Sequence, residues 1–135
     1  TDVTSGGFNE VYDDVNNPDA ATITKVLFCS GKIYFELAER KKKENKSDVA
    51  IIRLEQLFPF PIKQMEALYK KYHKAIWYWV QEEPLNMGAA TFLRMNLKNI
   101  NFYIISRQAS AATATGFSKV HAKEQAQIID TAFSI

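Results

Sequence analysis

An amide and two carboxylates, those of Gln81, Glu82 and Glu83, directly follow the apolar and aromatic run at residues 75–80. Such a run predicts a strand buried on both faces, which would carry these polar groups to its carboxyl end. Pro84 comes next and favours extended or turn geometry in the residue before it. Ligands and partners bind at the carboxyl edge of open α/β sheets, so the carboxylates could meet one there. They could equally cap a helix or form an ion pair, and the sequence leaves both possibilities open.

Two other polar groups follow short apolar runs: residues 30–32 are Ser-Gly-Lys, and residues 106–108 are Ser-Arg-Gln. If the strands are parallel, their carboxyl ends share one edge, and both groups would meet Gln81 there. The free N–H groups at the start of a helix attract anions, and Lys32 and Arg107 would add positive charge. This combination indicates a site for an anionic ligand that bears amide or hydroxyl groups. A purely structural role stays open, because such residues are also common in turns.

The other reactive side chains do not form a catalytic or metal site. Cys29, the single cysteine, lies in an apolar run and is predicted to be a small buried side chain. One cysteine also excludes an internal disulfide and a cysteine-built zinc site. His73 and His121 lie far apart in the sequence, each beside lysines, and there is neither a Gly-x-Gly-x-x-Gly motif nor a Walker loop. We therefore predict no catalytic residue, no cofactor site and no metal site in this chain.

Strands are needed to position these groups, and apolar runs alternate with amphipathic segments along the chain. The alternation predicts an α/β fold, with helices on both faces of a mostly parallel sheet of about four or five strands. Since successive side chains of a strand point to opposite faces, Trp77 and Trp79 should share one face and Tyr78 should occupy the other. Asn86 is predicted to cap the helix that follows. The predicted strands are residues 25–29, 49–54, 75–80 and 102–106. Three helices are predicted to begin near residues 33, 61 and 88, and a fourth is predicted over about 119–133.

Two of the predicted helices carry further expectations. The helix that begins at Pro61 should bury one apolar stripe. Its members are Ile62, Met65, Leu68, Tyr69 and Tyr72. The basic run at residues 40–43 closes the first helix, where cations interact well with the helix dipole. We therefore predict a solvated helix end there rather than a nucleic-acid patch.

The composition is that of one globular domain. The chain has 135 residues, of which 47% are hydrophobic and 24% charged, and its net charge is +2. That charge is too small to indicate a nucleic-acid partner, and no apolar run approaches the roughly 20 residues of a membrane span. The sequence starts at Thr1 without a signal peptide, so we expect a fragment or processed piece that works in the cytoplasm. Residues 1–24 contain Gly6-Gly7 and Pro18 and predict a lead-in arm or linker outside the core, followed by a domain over residues 25–135.

Four segments, in their order and spacing, together resemble one protein family. They are LFCSGKIY at residues 27–34, VAIIRLEQLFPFP at 49–61, VQEEPLNMGA at 80–89 and SKVH at 118–121. The family is the C-terminal domain of the 2-oxoglutarate dehydrogenase first component, a thiamine-diphosphate-dependent decarboxylase. TSGGF at residues 4–8 is similar to the segment that precedes this domain. The resemblance covers nearly the whole chain from Lys25 onward.

The resemblance implies a three-layer fold like the transketolase C-terminal domain. It also implies a parent enzyme of the tricarboxylic acid cycle, which decarboxylates 2-oxoglutarate and succinylates a lipoyl group on the second component. In the family, thiamine diphosphate and magnesium bind between the other two domains and across a homodimer. This chain would then be a non-catalytic domain that supports the dimer and is inactive alone. Its partners would be the rest of the polypeptide, the homodimer mate and the lipoyl-bearing succinyltransferase, in the bacterial cytoplasm or the mitochondrial matrix.

Some family members also hold an allosteric site for acetyl-CoA or an adenine nucleotide such as AMP in this domain. Carried over by motif, the effector-binding candidates are Ser30, Lys32, Arg53, Gln81 and Arg107. The sequence departs from the family pattern at Gln108, where an arginine is frequent, and at Ala90, where an aromatic residue is frequent. The first departure removes one cation from the candidate site. The alternative is a stand-alone anion-binding or CoA-binding module, or a structural interaction domain.

Overall fold

The computed structural model describes residues 10–16, 18–55, 59–107 and 118–135, with the side chains of residues 118–122 left aside. This part of the chain forms one sheet with helices against it. The strands are β1 (Val11–Tyr12), β2 (Lys25–Cys29), β3 (Val49–Leu54), β4 (Ile76–Pro84) and β5 (Phe102–Arg107). The helices are α1 (Ile33–Glu44), α2 (Ile62–Lys71), α3 (Ala90–Asn96) and α4 (Ser118–Ser134), with a short 3-10 helix at Ala20–Thr22.

The five strands follow the order β1-β3-β2-β4-β5 across the sheet. Strands β3, β2, β4 and β5 are parallel to one another, while β1 pairs antiparallel with the outer edge of β3. The prediction of an α/β fold with a mostly parallel sheet is confirmed. The closer likeness to the transketolase C-terminal domain stays a prediction.

One face of the sheet carries an aromatic core. The ring centroid of Phe28 lies 5.5 Å from that of Trp77 and 5.2 Å from that of Trp79. Met65 of α2 and Leu93 of α3 belong to the same buried cluster. Tilted and edge-on ring pairs of this kind add about 0.5–1.5 kcal/mol beyond the area they bury.

The opposite face carries an aliphatic core beneath the other two helices. Leu27 and Val80 of the sheet are buried there with Leu37 of α1 and Ile128 of α4. Tyr78 packs against this second cluster, whereas both neighbouring tryptophans lie in the first one. The predicted division of the aromatic run between the two faces, and the helices on both faces, are therefore confirmed.

The predicted lead-in arm contributes to the sheet and to the core, contrary to expectation. Val11 pairs with Leu54 and Tyr12 with Arg53, which makes β1 an edge strand. Ile23 is fully buried in the aromatic core. The sequence did not indicate these contacts, because the segment is polar and its buried residues show no local periodicity. The domain boundary after residue 24 stays a prediction.

A buried ion pair holds this segment against α1. The Lys41 ammonium lies 2.8 Å from Oδ2 of Asp14, and both side chains are almost fully buried. The same carboxylate oxygen accepts a hydrogen bond of 2.8 Å from the backbone N–H of Ile51 on β3. The prediction of a solvated helix end is therefore wrong for Lys41, while Lys42 and Lys43 are exposed as predicted.

Two local predictions around the helix starts are also wrong. Helix α3 begins at Ala90 with Ala89 as its N-cap residue, and Asn86 plays no capping role. Ile62 opens α2 but stays 38% exposed, whereas Met65 and Tyr72 of the same predicted stripe are fully buried. None of the helices in the described residues combines the length and the apolar character that a membrane span requires.

Candidate functional site

The carboxyl ends of the four parallel strands form one edge of the sheet. Arg53 of β3 pairs with Cys29 of β2, Cys29 pairs with Val80 of β4, and Val80 pairs with Ile105 of β5. This row marks where the strands end together. The candidate site residues lie on the row or just beyond it: Ser30, Lys32, Arg53, Gln81 and Arg107.

Their side chains do not all face the same side of the sheet. Arg53 contacts α1 and Arg107 contacts α4, so both occupy the face that these two helices cover. Lys32 is the N-cap residue of α1 and belongs to the same side. Gln81 bonds to Trp79 and occupies the aromatic face. The structure thus places the three cations on one face of the sheet and the Gln81 side chain on the other.

The guanidinium of Arg53 lies among aromatic rings. Its central carbon is 4.8 Å from the ring centre of Tyr12 and 4.9 Å from that of Tyr34. Its Nε lies 2.9 Å from Oε2 of Glu55. Cation–π contacts contribute about 0.5–2 kcal/mol each, depending on how far the pair is desolvated. Arg53 is therefore held in position before any ligand arrives, and from β3 it contacts both the edge strand β1 and helix α1.

The turn between β2 and α1 is open to solvent. Gly31 adopts a φ of +81°, which glycine tolerates best, and a Cβ there would meet nothing within 4 Å. Ser30 and Lys32 are exposed on either side of it. An anion could approach the first turn of α1 here without displacing protein atoms, and Lys32 would meet it.

Arg107 lies at the end of β5 and turns toward α4. Its side chain is 14% exposed, and a terminal guanidinium nitrogen lies 3.5 Å from Oε1 of Glu124. Strand β4 separates β5 from β2, which places the two strands about 10 Å apart at the usual strand spacing. A ligand that spans from the Lys32 turn to Arg107 must therefore cross β4.

The side-chain amide of Gln81 is fully engaged within the protein. Its Oε1 accepts a hydrogen bond of 2.8 Å from Nε1 of Trp79. Its Nε2 lies 3.1 Å from the carbonyl oxygen of Glu83, 2.9 Å from that of Pro84 and 2.9 Å from that of Met87. The residue is only 3% exposed. Gln81 thus fixes the segment that follows it, and both ends of its buried amide already have partners within the protein.

Gly88 closes this segment in a position that suits only glycine. Its φ is +73°, in the left-handed region. A Cβ at this position would lie 3.0 Å from Oε1 of Glu83 and 3.2 Å from Oε1 of Gln81. The glycine therefore permits the close approach of the chain to the Gln81 amide.

Burial controls the ionisation of two groups near the edge. It raises the pKa of the Cys29 thiol to about 12, although the nearby Arg53 acts in the opposite direction. Burial likewise raises the pKa of the Tyr34 hydroxyl, again against Arg53. Both groups keep their protons at neutral pH, so neither supplies a nucleophile or a base.

Two cavities lie near the cations. One, of about 670 Å³, lies between the segment that follows β1 and helix α1, and Tyr34 and Lys41 line it. The other, of about 1380 Å³, runs along β5 and α4, and Arg107 and Glu124 line it. Arg107 and Tyr34, which contacts Arg53, thus border different cavities.

The sequence prediction missed the aromatic partners of Arg53 and the buried Asp14. Tyr12 reaches Arg53 only through the β1–β3 pairing, and no local pattern indicates that pairing. Tyr34 could have been found, since it stands in the first turn of α1, beside the strand end that carries Arg53. Within the described residues, no group of three or more histidine, cysteine, aspartate or glutamate side chains is arranged to hold a metal ion.

Comparison with known proteins gives a consistent result. The sequence model of the family described as 2-oxoglutarate dehydrogenase C-terminal matches residues 1–133. The chain is 36% identical, over 96% of its length, to a 2-oxoglutarate dehydrogenase E1 component from Haemophilus influenzae. It is 47% identical, over 85% of its length, to a multifunctional 2-oxoglutarate metabolism enzyme from Mycolicibacterium vanbaalenii.

A third relative is a 2-oxoglutarate dehydrogenase E1/E2 component from Corynebacterium glutamicum, with 41% identity over 98% of the chain. These relatives are much longer proteins. The chain spans 14% of the Haemophilus protein, 10% of the Mycolicibacterium protein and 11% of the Corynebacterium protein.

Proposed function

The chain belongs to the 2-oxoglutarate dehydrogenase C-terminal family, as its motifs predicted, and from this premise we propose that it serves as a non-catalytic domain of an E1-type enzyme. The parent enzyme would decarboxylate 2-oxoglutarate and pass the succinyl group to the lipoyl group of a succinyltransferase component. The match to the family over residues 1–133 is the observation that carries the proposal. We place the parent in the bacterial cytoplasm, in line with its bacterial relatives.

The described residues do not fit the binding of thiamine diphosphate and magnesium. A magnesium diphosphate needs carboxylate and carbonyl oxygen ligands that converge on one point. Glu82 and Glu83 are adjacent in extended backbone and diverge, and Cys29 and Tyr34 keep their protons. We propose that these cofactors bind in the remaining domains of the parent and across its homodimer, which this domain would help to stabilise.

The cations at the sheet edge suit an anionic effector. We propose that an elongated anion, of the acetyl-CoA or AMP type, contacts Ser30, Lys32, Arg53 and Arg107. Two features support this proposal: the Lys32 turn is open, and Arg53 is already held by aromatic rings. An elongated ligand is preferred over a lone phosphate, because β4 lies between the Lys32 turn and Arg107. Gln81 would act indirectly, through the segment that it fixes.

The family function is tested on the full-length parent enzyme. We expect 2-oxoglutarate-dependent release of carbon dioxide and succinylation of a lipoyl acceptor, both dependent on thiamine diphosphate and magnesium. The 135-residue chain alone should show neither activity. A full-length enzyme that acts on another 2-oxo acid and leaves 2-oxoglutarate untouched would refute the proposal.

The effector site is tested separately, by calorimetric titration of the full-length parent with acetyl-CoA and with AMP. Replacing Lys32 or Arg107 with glutamine should weaken binding by about tenfold or more, because each loses a charged hydrogen bond. Lys63→Gln is the matched control, since this exposed lysine lies on α2, against the opposite face. Unchanged affinity in both test variants would exclude the site.

A further inference from the structure

The segment between Gln81 and Gly88 is fixed by hydrogen bonds rather than by packing into either core. Beyond the four contacts of the Gln81 amide, the backbone N–H of Met87 donates to the carbonyl of Pro84 at 2.9 Å. The backbone N–H of Leu85 donates to the carbonyl of Arg107 at 3.2 Å. A segment fixed in this way loses little conformational freedom when it meets a partner.

The rigid segment displays apolar side chains to solvent. Leu85 is 47% exposed and Met87 is 58% exposed, and neither belongs to a core cluster of the described residues. Single exposed apolar residues are ordinary on protein surfaces. Here two exposed apolar side chains lie two residues apart on a segment that the buried Gln81 holds in place. This arrangement is typical of a contact surface.

Two acidic residues, Glu82 and Glu83, directly precede this apolar part of the segment. The carboxylates of Glu82 and Glu83 have no cation partner among the described residues. A partner surface would therefore complement them with positive charge. A symmetric contact between two copies would bring like charges together, which disfavours this chain as its own partner.

Resting on the proposed function, we propose that Leu85 and Met87 dock into an apolar pocket, flanked by lysine or arginine, on another domain of the parent polypeptide. The chain covers only 10% to 15% of the relatives that it matches, so such a parent carries most of its surface in other domains. The segment would then set the position of this domain relative to the rest of the enzyme.

Methionine oxidation by hydrogen peroxide tests the proposal on the active full-length parent. Met95 of α3 is the internal control, because it is 65% exposed in this domain and Met87 is 58% exposed. Without a docking partner the two side chains should oxidise at similar rates. With the proposed contact, mass spectrometry should show Met87 oxidising at least several-fold more slowly than Met95.

A charge-reversal variant tests the predicted partner chemistry. The double change Glu82→Lys and Glu83→Lys should bring the oxidation rate of Met87 up to that of Met95. Glu39→Lys, an exposed glutamate of α1, is the matched control and should leave the protection of Met87 intact.

Four results would overturn the docking proposal. They are equal oxidation of both methionines, protection that disappears on dilution to the monomer, protection that requires the separate lipoyl-bearing component, and protection that survives charge reversal. The decarboxylation of 2-oxoglutarate is assayed on the same sample. An active enzyme with an unprotected Met87 therefore refutes the docking contact alone, whereas an enzyme inactive on 2-oxoglutarate refutes the proposed function.

Discussion

The indole nitrogen of Trp79 donates a hydrogen bond of 2.8 Å to Oε1 of Gln81, two residues later on the same face of β4. This bond occupies the amide oxygen, so the amide nitrogen must face the segment that follows. There it meets the carbonyl oxygens of Glu83, Pro84 and Met87. A core tryptophan thereby sets the conformation of a surface segment.

Gln81→Glu should destabilise the domain although it hardly changes the size of the side chain. A carboxylate cannot donate hydrogen bonds, so the three carbonyl oxygens would face a buried negative charge. The loss should be about 3 kcal/mol, since each unsatisfied buried polar group costs about 1–3 kcal/mol. Urea unfolding measures it, with the exposed Gln127→Glu as control, expected within about 0.5 kcal/mol of the unsubstituted chain. Equal stabilities of the two variants would contradict the role of the Gln81 amide.

Gly88→Ala and Gly31→Ala should differ in cost although both glycines have a positive φ. Each alanine pays about 1–2 kcal/mol for the left-handed conformation. At Gly88 the new methyl would also lie 3.0 Å from Oε1 of Glu83 and 3.2 Å from Oε1 of Gln81, whereas at Gly31 it meets nothing within 4 Å. Glu83 can move aside, but Gln81 is fixed. We expect Gly88→Ala to have the lower urea midpoint, and a lower midpoint for Gly31→Ala would contradict this account.

The buried thiol of Cys29 predicts a loss of stability in alkaline solution. Burial raises its pKa from the ordinary 9.0 to about 12. The folded thiol keeps its proton where the unfolded thiol releases it, so its contribution is complete below pH 9 and is lost as the pH rises toward 12. The free energy of unfolding should fall by about 1.4 kcal/mol per pH unit from this group.

Cys29→Ala removes that titration and is compared with the unsubstituted chain between pH 9 and pH 11. Burial and the bond to Asp13 also raise the pKa of Tyr72, but that group titrates in both proteins and cancels in the comparison. The variant should show the shallower slope. Parallel slopes would mean that the thiol is solvated in the folded state.

Local patterns were sufficient to predict the central strands and most helices. Successive side chains of a strand point to opposite faces, and this alternation alone assigns Trp77 and Trp79 to one face. The helical spacing of Met65 and Tyr72 likewise assigns both to the buried stripe of the helix that begins at Pro61, and both are fully buried. The carboxyl-edge positions of Lys32 and Arg107 follow from the parallel order of the strands.

Long-range contacts explain what the sequence could not reveal. Asn86 has the side chain of an N-cap, but Gln81 binds the carbonyl oxygen of Met87 just after it, and α3 begins only at Ala90. From the sequence alone, Gln81 resembles a ligand-binding amide, whereas in the structure its amide makes four contacts within the protein. Asp14 stands among polar residues, and its burial depends on Lys41, which lies 27 positions away.

The contact between Asp14 and Lys41 leads to an asymmetric prediction. Asp14→Ala leaves a buried ammonium without its counter-charge, which costs about 3–5 kcal/mol. Lys41→Met should cost less, because the Asp14 carboxylate keeps backbone N–H donors from Ile51 and Asn16, each at 2.8 Å. The double variant Asp14→Ala/Lys41→Met should be more stable than Asp14→Ala alone, since it contains no unpaired buried charge.

Urea unfolding of the two single variants and the double variant measures this coupling, with the exposed Lys42→Met as the control for loss of a lysine from α1. Additive losses would show that the two charges do not depend on each other, which would contradict a buried pair. A double variant more stable than the unsubstituted chain would still agree with it, since apolar side chains can replace a buried pair at a net gain. The ordering of the two single variants is the decisive result, because only the aspartate has backbone partners to keep.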